Sequence, residues 1–211
     1  MKPETRVTAV CLNQGARLLF LLALFLVAAG PPYALAQMHA RVVHRNLAEL
    51  AAQASVIVRG QVLEARLEPH PDFPNSSTVV VTLRVQEELK GSVGGTFTFR
   101  QYLYDPRERA GRLGYRVGES IVVMMHSSSP LGFSSPVGLE QGRFRVTTDS
   151  SGNVMVTNGW DNAGLLKNVR TTSPKLESRV SPPVRRLLDQ HQSGPIPYDQ
   201  FREMVRGLVA E

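Results

Sequence analysis

The chain of 211 residues is 42% hydrophobic and 20% charged, a globular balance that excludes a disordered or collagen-like polypeptide. Twenty-four Lys and Arg against 18 Asp and Glu leave a formal charge of +6, which permits attraction to anionic surfaces without making nucleic acid an expected partner. A single cysteine, Cys11, excludes a disulfide-stapled scaffold.

Lys2, Arg6 and Arg17 form a basic start, and Leu18 to Gly30 is an uninterrupted apolar run. Pro31 and Pro32 then break any helix, and Ala34-Leu35-Ala36 offers a small-x-small cleavage pattern. The run is shorter than the ~20 helical residues needed to cross a bilayer. Residues 1–36 are therefore expected to be a cleaved signal peptide, which sends the protein to the periplasm or the extracellular space and leaves no transmembrane segment in the mature chain. Cys11 leaves with that segment. The mature chain, from about Gln37, must then be held by burial alone, which points to a bacterial envelope or secreted protein. Its basic residues are nearly all Arg, with Lys only at 90, 167 and 175.

Leu47 to Ala54 reads as a short helix with Asn46 as N-cap. Ser55 to Ala65 reads as a strand with Val56, Val58 and Val62 on one face and Arg59 and Gln61 on the other; Gly60 in its middle suggests a bulge. Pro69 to Ser77 is a loop on composition. In the next strand Val79, Val81, Leu83 and Val85 alternate with mostly polar neighbours. A glycine-rich turn, Leu89 to Gly95, leads into Thr96 to Arg100, with Phe97 and Phe99 inward, so the two strands are expected to form a hairpin. Asp105 to Gly118 reads as a second loop, and Glu119 to His126 as a strand buried on both faces. Val137 to Thr147 offers Leu139, Phe144 and Val146 to the core, interrupted at Gln141-Gly142. Asp149 to Gly152 is a turn and Val154 to Asn158 the returning strand. Beyond it, Ser173 to Pro183 reads as an extended crossing. A helix from Ser181 to Gln192 and an amphipathic last helix, carrying Phe201, Met204, Val205, Leu208 and Val209 on one stripe, complete the chain.

No catalytic set is legible. The serines at 127–129 and 134–135 sit in proline-rich loop sequence with no G-x-S-x-G elbow. His39, His44, His70, His126 and His191 are scattered, with His70-Pro71-Asp72 the one local pair that could offer two metal ligands, and His126 reads as a satisfied histidine at the core rim. Glu87 and Glu88 are adjacent on a strand end and point to opposite faces. Neither a metal nor a cofactor is expected. The most suggestive surface feature is the stretch 100–116, where Arg100, Tyr102, Tyr104, Arg107, Arg109, Arg112 and Tyr115 interleave arginine with tyrosine, a composition that stacks on bases or grips anions. Its bland counterpart is a solvated loop whose tyrosines fold onto the sheet edge. Trp160 reads as a core-edge anchor.

Leu47 to Val62 (LAELAAQASVIVRGQV), Val79 to Gly91 (VVVTLRVQEELKG) and Val137 to Val146 (VGLEQGRFRV) together resemble a set of uncharacterised secreted bacterial domains. These look like open barrels of the oligonucleotide/oligosaccharide-binding type and are distantly similar to netrin-type or metalloproteinase-inhibitor barrels. The resemblance implies a mainly β fold and transfers no catalytic residue. With six short strands and no βαβ alternation, the expected architecture is a small antiparallel barrel of five to six strands over residues 37–160. A short helix precedes it, and residues 161–211 follow as a crossing and a C-terminal helical segment packed on the barrel. The leading functional expectation is an exported, non-enzymatic binding or accessory module serving a secreted or envelope protein. A secreted hydrolase whose residues converge only in the fold, and polyanion or nucleic-acid binding through the 100–116 stretch, remain as alternatives.

Overall fold

The structure is a computed structural model that describes residues 43–103 and 115–210. Its first element, α1 (Leu47–Gln53), starts after the expected N-cap Asn46, where a capping box forms. The Glu49 N–H donates to Asn46 Oδ1 at 3.0 Å, and the Asn46 N–H donates to Glu49 Oε2 at 2.8 Å. Two donors at the helix start are thus satisfied reciprocally, a device typically worth about 1 kcal/mol. Leu47, Ala48, Leu50 and Ala51 are buried. The chain then turns extended at Ala54 and enters the sheet at once, as the Ser55 N–H donates to the Met125 carbonyl at 2.8 Å.

Seven strands follow among the described residues: β1 (Val56–Pro69), β2 (Ser77–Lys90), β3 (Thr96–Tyr102), β4 (Ser120–Met125), β5 (Arg143–Thr148), β6 (Val154–Asn158) and β7 (Ile196–Pro197). They form one sheet in the order β3-β2-β1-β4-β5-β6-β7, every neighbouring pair antiparallel. The expected mainly β antiparallel architecture is present. The ladder, however, has seven strands rather than five or six and is not closed into a barrel. After β4 the chain adds β5, β6 and β7 outward instead of returning to β3. Isolated bridges, Arg100–Phe133 and Met125–Pro136, link the 127–136 segment to β3 and β4. Between β3 and β5 lies a side chain: the Tyr115 ring meets Phe99 edge-on at 5.6 Å, its hydroxyl donates to Gln101 Oε1 at 2.8 Å, and Arg143 stacks over it at 4.9 Å.

β1 and β2 bend through three register shifts, one of them at Arg59/Gly60. A Cβ on Gly60 would stand 2.8 Å from the Arg84 carbonyl oxygen, so the close approach of the two backbones there admits only glycine. The sheet buries both faces. β4 shows why its sequence is apolar without alternation: Val122 and Met124 enter one cluster, and Ile121, Val123 and Met125 the other. The second cluster is built from Val58, Val62, Val79, Val81, Leu83 and Phe99 with Tyr115.

The first cluster lies under the helices. Helices α2 (Val169–Thr172), α3 (Leu176–Arg179), α4 (Pro182–Gln190) and α5 (Tyr198–Val209) complete the chain. Leu176, Val184 and Phe201 join Ile57, Phe144 and Val156 in one apolar core, with the Phe144 and Phe201 rings 4.8 Å apart. The apolar stripe of α5 is therefore a core face, and Phe201, Met204 and Val205 are fully buried. Where an extended crossing was expected between Ser173 and Pro183, the chain forms a helical turn, α3, with α2 just ahead of Ser173. Each has four residues, too short for a 3.6-residue period to register. Ahead of them, Asp161 and Asn162 both take the left-handed conformation (φ 53° each). Asn162 is fully buried; its amide donates to the Val156 and Gly194 carbonyls at 2.9 Å each, and its Oδ1 accepts the Asn158 N–H at 2.9 Å. Asn and Asp tolerate this backbone, and here the buried hydrogen bonds select it. Among the described residues no helix is long and apolar enough to cross a membrane.

Candidate ligand-binding groove

The arginine–tyrosine stretch divides in the structure. Tyr104, Arg107, Arg109 and Arg112 lie outside the described residues. Arg100, on β3, is occupied by the fold: its guanidinium donates to the Glu68 carboxylate and, at 2.8 Å, to Thr78 Oγ1. Hydrogen bonds from Arg66 and then Arg100 hold the Glu68 carboxyl below its ordinary range. Tyr115 is only 2% exposed, and burial pushes its phenol pKa upward. Tyr102, at the end of β3, is 42% exposed. Of the three described members, it alone presents a ring to the surface.

The scattered polar residues are also placed. His70 is buried in the β1–β2 turn, where Nδ1 accepts the Asp72 N–H at 3.1 Å and Nε2 lies 2.9 Å from the Leu131 carbonyl. Both ring nitrogens are committed to main-chain groups, so the His70/Asp72 pair is a turn lock rather than a pair of ligands. Glu88 accepts the N–H groups of Val93 and Gly94 at 2.7 and 2.9 Å, which lowers its carboxyl pKa and fixes the turn before β3. Glu87 accepts from the Tyr198 hydroxyl and from Arg206 at 2.7 Å, tying β2 to α5. Trp160 packs against His44 at 5.7 Å, a core-edge position. Among the described residues no three His, Cys, Asp or Glu side chains come together as metal ligands.

What the fold does assemble is a groove of about 300 Å³ lined by Gln101 and Tyr102 from β3, His126, Ser127, Ser129, Phe133, Ser134 and Ser135 from the segment after β4, and Leu139. Its walls are held by hydrogen bonds at both ends. Ser129 N–H donates to the Phe133 carbonyl at 2.7 Å and Ser129 Oγ accepts the Phe133 N–H at 3.2 Å. Ser134 N–H reaches the Arg100 carbonyl at 2.8 Å, and Ser134 Oγ donates to the His126 carbonyl at 2.7 Å. One side of the Phe133 ring stacks on His70 at 4.7 Å, and the Tyr102 ring stands nearly perpendicular to Phe133 at 6.2 Å. Leu139 lies in the left-handed region (φ 57°), a conformation costing a branched side chain about 1–2 kcal/mol.

The chemistry of the lining is distinctive. None of the nine residues is Asp, Glu, Lys or Arg. Gln101 uses Oε1 to accept from Tyr115, and among the described residues its amide nitrogen, the Ser127 and Ser135 hydroxyls and the His126 imidazole take no side-chain hydrogen bond. His126, expected as a satisfied rim histidine, is exposed. A serine and a histidine thus share the groove, but the one hydroxyl bonded toward His126 goes to its carbonyl, not its imidazole, and no carboxylate in the lining orients that ring. The two neighbouring serine clusters, Tyr102 of the arginine–tyrosine stretch and His126 were the sequence signals for this place. They lacked the ring, Phe133, that gives the groove its floor.

Two other concavities carry charged side chains, some of them paired. One of about 490 Å³ holds Arg143 against Glu140 and includes Arg145 and Asp161. The other, about 610 Å³, lies at the start of α5, where Arg59 stacks 4.4 Å over Tyr198.

Compared with known proteins, the chain matches no family model, no curated protein and no solved structure.

Proposed function

We propose that this protein is an exported, non-enzymatic binding module whose ligand seats in the groove between the end of β3 and the 126–139 segment. The carrying observation is the lining: an exposed tyrosine and a stacked phenylalanine beside hydroxyl, amide and imidazole groups that take no side-chain hydrogen bond among the described residues, with walls already held in place. Such concave sites, mostly apolar with a few placed polar groups, are how proteins hold small molecules. The basic start, apolar run and Ala34-Leu35-Ala36 pattern support export, and the resemblance to secreted barrel-like domains supports a curled sheet as scaffold. Within the polyanion alternative, Arg100 is taken by Glu68 and Tyr115 by the core, while Tyr104, Arg107, Arg109 and Arg112 lie outside the described residues.

The test is a ligand-observed and protein-observed NMR screen of the processed chain against a small-molecule library. Binding modules give hits whose shift changes gather at Gln101, Tyr102 and Phe133. Turnover of an ester, amide or glycoside panel that disappears on His126→Ala replaces this reading with the hydrolase one.

A further inference from the structure

We infer that the ligand class of this groove is a neutral sugar ring, an inference that rests on the binding reading above. Three features point the same way. First, none of the described lining residues is Asp, Glu, Lys or Arg, so among them there is no carboxylate, ammonium or guanidinium to offset the water that an ionic ligand would lose. Second, Tyr102 and Phe133 meet at 82°, forming a corner of two aromatic surfaces. Aromatic faces carry partial negative charge and attract the weakly positive C–H groups that cover one face of a pyranose. Third, the polar groups around that corner are compact: the Gln101 amide, the Ser127 and Ser135 hydroxyls and the His126 imidazole, which offer both donors and acceptors. A pyranose presents that pairing of features, with an apolar face and a rim of hydroxyls. A purely apolar ligand would leave the polar rim unmatched, and a peptide strand would need an extended row of main-chain partners, whereas the Arg100 carbonyl beside the groove is already bonded to Ser134. The volume, about 300 Å³, suits one or two rings.

The experiment uses the processed full-length chain and ¹⁵N and aromatic ¹³C NMR titrations with methyl glucoside, cellobiose, glucuronate and glucosamine, with indole and a neutral tetrapeptide as non-sugar probes. The expected result is saturable shift changes at Gln101, Tyr102, Phe133 and Ser135 with the two neutral sugars, and several-fold weaker binding of glucuronate and glucosamine. Tyr102→Ala is expected to weaken the neutral sugars about tenfold, and Tyr102→Phe, which keeps the ring, to stay within about twofold. An unchanged melting temperature for Tyr102→Ala, an exposed position, separates lost contact from lost folding. If indole or the tetrapeptide saturates these same residues while neither neutral sugar does, the sugar class is wrong and the binding reading stands. If none of the six probes moves them, the sugar class again falls, and an empty result in the library screen above would then remove the binding reading as well.

Discussion

The cleft at the start of α5 and the groove at the end of β3 are both concave and each contains a tyrosine, but the two tyrosines have opposite surroundings. Tyr198 donates to Glu87, which also accepts from Arg206, while Arg59 and Arg202 flank the ring at 4.4 and 5.8 Å. Asp199 takes Arg202 at 2.9 Å. Glu87, Tyr198 and Arg206 thus join β2 to α5. Tyr102 stands instead beside amide, hydroxyl and imidazole groups that bond to little else among the described residues. Polar groups that satisfy one another stabilise a fold, and those left unmatched in a concave, preformed place are available to a ligand. The first cleft is thus cement and the second the site proposed for a ligand.

That contrast can be broken by substitution. The largest effect is expected beneath the α5 cleft, where Phe201→Ala should cost about 3–5 kcal/mol in urea denaturation, because the ring is fully buried against Phe144 and would leave a cavity. Glu87→Ala should cost less, about 1–3 kcal/mol, by leaving the Tyr198 hydroxyl and the surrounding guanidinium groups without their acceptor. An equally stable Glu87→Ala would show that the cleft is not structural.

A smaller effect should appear with pH. Burial, followed by the hydrogen bond to Glu87, pushes the Tyr198 phenol up to about 12 from an ordinary value near 10. The folded state therefore keeps this proton more tightly than the unfolded chain. Its contribution is complete below pH ~10 and is lost as pH rises toward 12, so alkaline denaturation should set in across that window. Tyr198→Phe should remove that part of the pH dependence, as read by phenolate absorbance and denaturant midpoints together. The smallest stability effect belongs to the groove. Tyr102→Ala should change unfolding free energy by no more than about 0.5 kcal/mol, as exposed positions generally do, while affecting ligand affinity most. A large loss of stability there would make Tyr102 another structural tyrosine.

Elements whose signal is local were legible. Asn46 and Glu49, three residues apart ahead of an apolar helix, specify α1 through bonds that need nothing distant. The alternation from Val79 to Val85 and from Thr96 to Arg100 was enough for the β2–β3 hairpin, and both strands run a few residues further than expected. The unbroken run of β4 correctly announced burial on both faces. Missed were β7, with two residues, and the four-residue α2 and α3, because no period can be read over so short a span. Leu139, expected in the core, instead lines the groove in a left-handed conformation that its residue type gives no reason to foresee.

The amino-acid order alone settles the strand-rich character, the capped first helix and the apolar stripe of the last helix, because each arises from neighbours within a few residues. Whether the sheet closed, which of the tyrosines faced water and where the serines gathered were decided by the tertiary structure. Those outcomes depend on chain segments 20 or more residues apart reaching one another: Arg100 bridging to Phe133, Tyr115 filling the space beside Arg143, and Tyr198 finding Glu87. Side chains of one type become core, cement or binding surface according to what the fold places opposite them.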